Sequence, residues 1–361
     1  MKRSKLILAA VAAFSVPLAG HALAQSGQKP LDKVNFATNW LPQAEHGGHY
    51  QAVADGTYAR YGLDVTITPG GPQANNRMAL VAGKADFYMT ANLIPSFSAL
   101  EQKIPVVAVA SIFQKDPFVF MSHPGQGFDR WEDLSKATAF VGAEAMAGIF
   151  QWLRQEYGFR ESNVKPYTFN PAPFIADKKS IQQGYLTSEP FAVEQAGKFR
   201  PNIFLAADHG FDTYSTLIEA RRDTVEKRPD LVQRFVDASI IGWYNYLYGD
   251  NAAANARIKR ENPDMSDAQI AFSIAKMKEY GVVDSGDSLT QGIGAMTDAR
   301  VKSFYDKMTK AGVIKPGLDL SAAYTLRFVN KGVGLNLRPQ DSRSKESGSK
   351  DSGSKDSGTP R

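Results

Sequence analysis

The chain has 361 residues, no cysteine and a net charge of +5, and a length of this order exceeds one compact core and predicts two lobes. Without cysteine it carries no disulfide, no thiol nucleophile and no lipidated amino-terminal cysteine. Lys2, Arg3 and Lys5 hold three of the five charges, so the chain without them keeps +2, too small a balance to make nucleic acid a partner.

Basic Met1 to Lys5 is followed by an apolar run from Leu6 to Ala19, broken only by Ser15 and Pro17, and then by Ala22-Leu23-Ala24. This order of basic, apolar and small residues predicts a secretory signal peptide over residues 1–24, because the run is too short to anchor in a bilayer. The expectation is a freely diffusing periplasmic protein, exported with cleavage after Ala24. At the other end Ser344-Lys345-Glu346-Ser347-Gly348 is repeated with small changes at Ser349 and Ser354. Pentads with nothing apolar to bury predict a disordered tail over residues 338–361.

Between these ends short apolar strands alternate with longer amphipathic stretches, the pattern of parallel α/β construction. Val34 to Trp40 reads as the first strand and Gly47 to Tyr61 as the helix after it. Leu63 to Thr68 is the second strand, stopped by Pro69-Gly70-Gly71-Pro72. Asn75 to Ala82 reads as helix and Asp86 to Thr90 as the third strand. Pro105 to Ser111 and Phe118 to Ser122 follow as strands. A second unit begins near His123, with a helix at Trp131 to Leu134, a strand at Ala139 to Gly142 and a helix from Ala147 to Tyr157. Further strands fit Val164 to Phe169, Gly184 to Thr187 and Ile203 to Ala206. From Tyr214 the pattern turns mainly helical, with Pro229 to Tyr248 long enough to pack back on the first lobe. The expected architecture is therefore a discontinuous first lobe of residues 28–122 and 213–337 and a second lobe of residues 123–212, joined by a hinge crossed near Ser122 and near Asp212.

Ligands of open α/β sheets bind at the carboxyl ends of strands, which singles out Asn39-Trp40 and Glu45-His46-Gly47-Gly48-His49-Tyr50 after the first strand. Trp40 is a stacking platform, His46 a hydrogen-bonding group, and Gly48 a point where a ligand approaches backbone. His46 and His49 at i,i+3 beside Glu45 also have the spacing of metal ligands, but the remaining histidines of the second unit, His123 and His209, lie too far along to complete a site, so no metal is expected. In the second unit the loop Gly142 to Gly148, with Glu144 and Met146, and the segment Tyr185 to Phe191, with Glu189 held before Pro190, fall at matching places. Tyr50, Tyr88, Asn92 and Tyr185 complete the candidate lining. No Gly-x-Ser-x-Gly elbow or Walker-type phosphate loop is present, so neither enzyme chemistry nor a cofactor is expected.

At Asn39-Trp40, His46, Gly62-Leu63-Asp64-Val65 and Ala82-Gly83-Lys84-Ala85-Asp86 the chain resembles the thiamine-pyrimidine family, over about Val34 to Tyr248. That family joins periplasmic receptors for formylaminopyrimidine-type precursors, receptors for other aromatic ligands, and a fungal hydroxymethylpyrimidine synthase. The resemblance implies the type II periplasmic-binding fold, an α/β protein of two lobes. It also implies a monomeric receptor that passes a small heterocycle to an ABC permease in the inner membrane. It implies a ring held between aromatics and read by a carboxylate, with Trp40, Tyr88 and Glu189 at the matching positions. The synthase's cofactor lysine and its histidine are replaced by Thr90 and Ile94, which speaks against synthase activity. A thiamine-precursor pyrimidine is the leading ligand. Riboflavin or another aromatic ligand comes next, and a sulfonate or nitrate is disfavoured by Glu45, Glu144 and Glu189 in loops without arginine. A sensor-partner role stands behind these.

Overall fold

Strands β1 (Asp32–Ala37), β2 (Leu63–Thr68), β3 (Phe87–Asn92), β4 (Val106–Phe113), β5 (Phe118–Ser122), β6 (Thr138–Val141), β7 (Val164–Pro166), β8 (Ser180–Tyr185), β9 (Asn202–Leu205) and β10 (Ser215–Arg221) form two five-stranded sheets in this computed structural model, which describes residues 30–71 and 74–339. The expected signal peptide and all of the expected tail beyond Pro339 lie outside the described residues. The sheet orders are β2-β1-β3-β10-β4 and β7-β6-β8-β5-β9. Each combines four strands running one way with one antiparallel to both its neighbours, β10 in the first sheet and β5 in the second. The construction is therefore mixed, where alternation alone predicted parallel.

Strand β10 is the main departure from the sequence reading, which took the chain after Tyr214 as mainly helical. Its buried Glu219 interrupts the apolar pattern, and the strand is stable because Arg77 lies 2.8 Å from that carboxylate and Ser96 donates to it at 2.7 Å. The first helix also differs. Gly56 takes a left-handed φ of 74° and divides it into Gly47–Ala54 and Thr57–Arg60, a conformation that glycine adopts without steric cost.

Strand β5 pairs with β8 and β9, so the chain leaves the first sheet over Gln114–Pro117 rather than near Ser122. It returns over residues 210–214, between the short helix Ala206–His209 and β10. The tail boundary moves as well. Arg338 is buried and its guanidinium binds Asp284, also through Nε at 2.8 Å, so it closes the fold rather than opening a solvated tail.

The helix Pro229–Tyr248 begins with proline, which the first turn tolerates, and carries Leu231, Val232, Phe235, Val236 and Trp243 on one buried stripe. Against it lies Gly47–Ala54. A Cβ on Gly48 would stand 2.2 Å from the Trp243 ring and one on Gly47 2.0 Å from Tyr246, while a Cβ on Gly242 would meet the Gly48 carbonyl at 2.3 Å. These glycines allow two helices to touch backbone to ring, and that contact fixes the segment entering Gly47 from β1.

Candidate functional site

The carboxyl ends of the parallel strands in the two sheets face each other. Trp40, after β1, meets Phe169, after β7, with ring centroids 5.5 Å apart and planes tilted by 39°. Phe169 in turn lies 5.5 Å from Tyr167, whose hydroxyl donates to Glu189 at 3.4 Å. A second bridge runs from Thr187, after β8, whose hydroxyl donates to the Glu45 carboxyl in the short helix Ala44–His46. Trp40 and Glu189 thus belong to one run of contacts across the lobes, and Glu45 to a second beside it.

The Trp40 turn is clamped from below. Its carbonyl accepts from Gly70 N–H at 3.0 Å and from the Thr38 hydroxyl at 2.9 Å, while Asn76 donates to the Thr38 carbonyl at 2.8 Å. The indole is half-buried. On the opposite wall Phe169 is 63% exposed and holds a left-handed φ of 60°, a conformation costly for a bulky residue.

Electrostatics in the cleft are dominated by two carboxyls without a compensating cation among the described residues. Burial pushes Glu45 up to about 7, and repulsion from Glu189 adds to the shift against the Thr187 hydrogen bond. Burial also raises Glu189, opposed by Tyr185 N–H, which donates to it at 2.7 Å. His46 is 3% exposed and its Nδ1 has no hydrogen-bond partner. Burial drives its imidazole down to about 4, so it is neutral at ordinary pH. A fully buried, unpaired ring nitrogen costs free energy unless a group pairs with it.

Other expected site residues are placed elsewhere. Tyr50 is fully buried and donates to Glu261 at 2.9 Å beneath Arg257, on the far side of its helix. Gly48 serves the helix contact with Trp243 rather than a ligand's approach. Tyr88 packs with the small apolar cluster of Leu80, Ala99 and Val106, with Arg77 5.7 Å from its ring centre, so period-two alternation turns it to the face of the sheet opposite Phe87 and Met89. Asn92 caps the helix Leu93–Glu101 by accepting from Ile94 N–H at 3.0 Å and donates to Asp116 at 3.2 Å, which ties it to the crossover. Met146 is partly buried against the core, and Tyr185 contributes its backbone N–H to Glu189. The expected loop Gly142 to Gly148 is in fact the short helix Ala143–Ala147, and Gly142 N–H is taken by Gln183 at 2.7 Å. The Glu144 side chain is not among those described. His49 is a core residue, 3.0 Å from Tyr58 and 4.5 Å from the Phe36 ring. Among the described residues no group of three or more His, Cys, Asp or Glu is placed to hold a metal, and no helix is long and apolar enough to cross a membrane. Sequence reasoning missed Phe169, taken as a strand end, although Asn170-Pro171 after it marks a turn.

Two α/β lobes that meet at their strands' carboxyl ends and are joined by two crossovers define the class: this is the type II fold of periplasmic substrate-binding proteins. The periplasmic aliphatic sulphonate binding protein SsuA from Escherichia coli shares it, with a TM-score of 0.62 over 81% of this chain and 91% of that one, at 14% identity. Residues 43–253 match the family model described as NMT1/THI5 like, and the chain belongs to that NMT1/THI5-like family. Similar proteins include the riboflavin-binding protein RibY of Chloroflexus aurantiacus, 24% identical over 319 residues that cover 86% of this chain and 90% of that protein. The formylaminopyrimidine-binding protein of Halalkalibacterium halodurans is 22% identical over 243 residues, covering 66% and 73%.

Proposed function

We propose that this protein is the periplasmic substrate-binding component of an ABC importer, and that it closes its lobes on a flat nitrogen heterocycle, with a thiamine-precursor pyrimidine as the leading ligand. The observation that carries the reading is the pairing of Trp40 and Phe169 from opposite lobes beside Glu45, Glu189 and the unpaired His46 Nδ1. A ring sandwiched between two aromatics needs roughly 7 Å between them, twice an ordinary carbon contact, against the 5.5 Å seen here. Opening the lobes by about one to two ångströms therefore turns a ring pair that plugs the cleft into a slot. The ligand favours the closed state because only there does it touch both walls.

Two carboxyls accept from amino and ring N–H groups, and a protonated Glu45 also donates. Where ionised they repel sulfonates and other anions, and the likeness to SsuA is one of fold. The longer match to RibY supports riboflavin as the second reading, since an isoalloxazine is also flat and presents one ring N–H.

Mass spectrometry of the small molecule retained under native conditions, followed by calorimetric titration with a formylaminopyrimidine, riboflavin and an alkanesulfonate, tests the proposal. Binding of either heterocycle supports it, and binding of the sulfonate alone contradicts it. Glu189→Gln should weaken an amino-bearing ligand about tenfold more than a carbonyl-bearing one, because the amide presents a donor where the carboxylate only accepts. Equal losses would remove its reading role. Turnover of a bound pyrimidine would instead mark an enzyme.

A further inference from the structure

The two crossovers are held by a residue that touches neither wall of the cleft. Arg300 stands in the first turn of the helix Asp298–Lys310, which packs on the first lobe through Phe304 and Tyr305 against Phe97. Its guanidinium donates to the Gln114 carbonyl on the first crossover, and through Nη1 to the Gln114 side-chain oxygen at 3.4 Å. Nε donates to the Asp212 carbonyl at 3.0 Å and Nη2 to the Thr213 carbonyl at 3.5 Å, both on the second crossover. The same group lies 4.1 Å from the centre of the Tyr214 ring.

Neighbouring contacts reinforce the arrangement. Gln114 is 1% exposed and is pinned by its own donation to the Ala295 carbonyl at 2.9 Å. Lys307, two turns along the helix, reaches Asp212 at 2.7 Å and the Gly210 carbonyl at 3.0 Å. Lys115 on the first crossover lies 3.1 Å from Asp208, in the helix that precedes the second. Lys310 extends to Glu156 of the second lobe at 2.9 Å.

Carbonyls at a crossover leave the strand ladders and need other donors. A planar fork of five N–H groups satisfies several at fixed angles, which one ammonium on a flexible stem does not. We infer that Arg300 is a positioning residue that couples the two crossovers so that they bend together, restricting the lobes to one closing path. The inference rests on the reading that the lobes close on a ligand, yet it concerns the motion alone and is testable with none added.

Because the chain has no cysteine, Asp64→Cys at an exposed position of β2 and Arg200→Cys in the second lobe accept spin labels without background. Pulsed electron–electron distance measurement should give one narrow distribution for this labelled protein. Arg300→Ala should at least double its width, and Arg300→Lys should broaden it less but measurably. Lys302→Ala, an exposed change on the same helix, should leave it unaltered. Thermal melts identify the variants that are folded, and Arg300→Lys decides the matter if Arg300→Ala does not fold. Widths in folded Arg300 variants equal to that of the parent, or equal broadening by Lys302→Ala, would overturn the inference. Adding riboflavin or a formylaminopyrimidine to the parent reads closure on a ligand separately, through the mean distance, so the two conclusions fail independently.

Discussion

On the first lobe, Ala44–His46 is buried and continues into a helix wedged against Trp243 and Tyr246, whereas on the second lobe Phe169 stands mostly exposed on a strained turn between β7 and the helix Ala172–Ala176. The first-lobe segment is held in place by packing. The second wall offers an aromatic cover with few neighbours, suited to adjust to what lies beneath it. Under the proposed function, a receptor divided in this way meets its ligand with a fixed wall on the first lobe and with an adaptable aromatic beside Glu189 on the second.

The largest expected effect breaks the rigid side. Gly48→Ala places a methyl inside the Trp243 ring position and should cost roughly 3 kcal/mol through overpacking, seen as a lower denaturant midpoint. A midpoint within error of the parent would show that the helix contact does not fix this wall.

A smaller effect sharpens the comparison through pH. Burial raises Glu45 from 4.5 to about 7, so between these values the folded protein keeps a proton that the unfolded chain has released. Its stabilising contribution is complete below about pH 4.5 and is lost as pH rises through about 7, at a slope of up to about 1.4 kcal/mol per pH unit across that window. Glu45→Gln should flatten that part of the stability profile, and an unchanged slope would assign it to another group.

The smallest effect falls on the adaptable side. Phe169→Gly should change stability by no more than about 0.5 kcal/mol, since it removes an exposed ring and relieves a left-handed φ. A loss of several kcal/mol would mean that the turn is as firmly built as its opposite.

The same contrast explains what was legible in the sequence. Strands β2 and β5 and the helix Pro229–Tyr248 were readable to the residue, because breakers flank the strands and Pro229 and Gly249 bound the helix. The positions of Trp40, Glu45, His46 and Glu189 after strand ends were readable too. The purpose of Gly47 and Gly48 was not legible, because the rings they accommodate lie about two hundred residues further on. Strand β10 was hidden by a charge whose partner, Arg77, is 142 residues away, and Tyr88 was misplaced because a strand's two faces cannot be told apart when both are covered. Phe169 was missed because exposure and a left-handed turn leave no periodic trace.

If one ligand ring lies between Trp40 and Phe169, as proposed, a double-mutant cycle on ligand affinity reads it. Calorimetric titration of the retained heterocycle against the parent, Trp40→Ala, Phe169→Ala and the double variant should show a loss of roughly 10- to 100-fold for Trp40→Ala and a smaller one for Phe169→Ala. The double variant should fall short of their combined loss by about 1 kcal/mol, because each wall stacks fully only when the other presses the ring against it. Strictly additive losses, or full affinity in Trp40→Ala, would contradict the account.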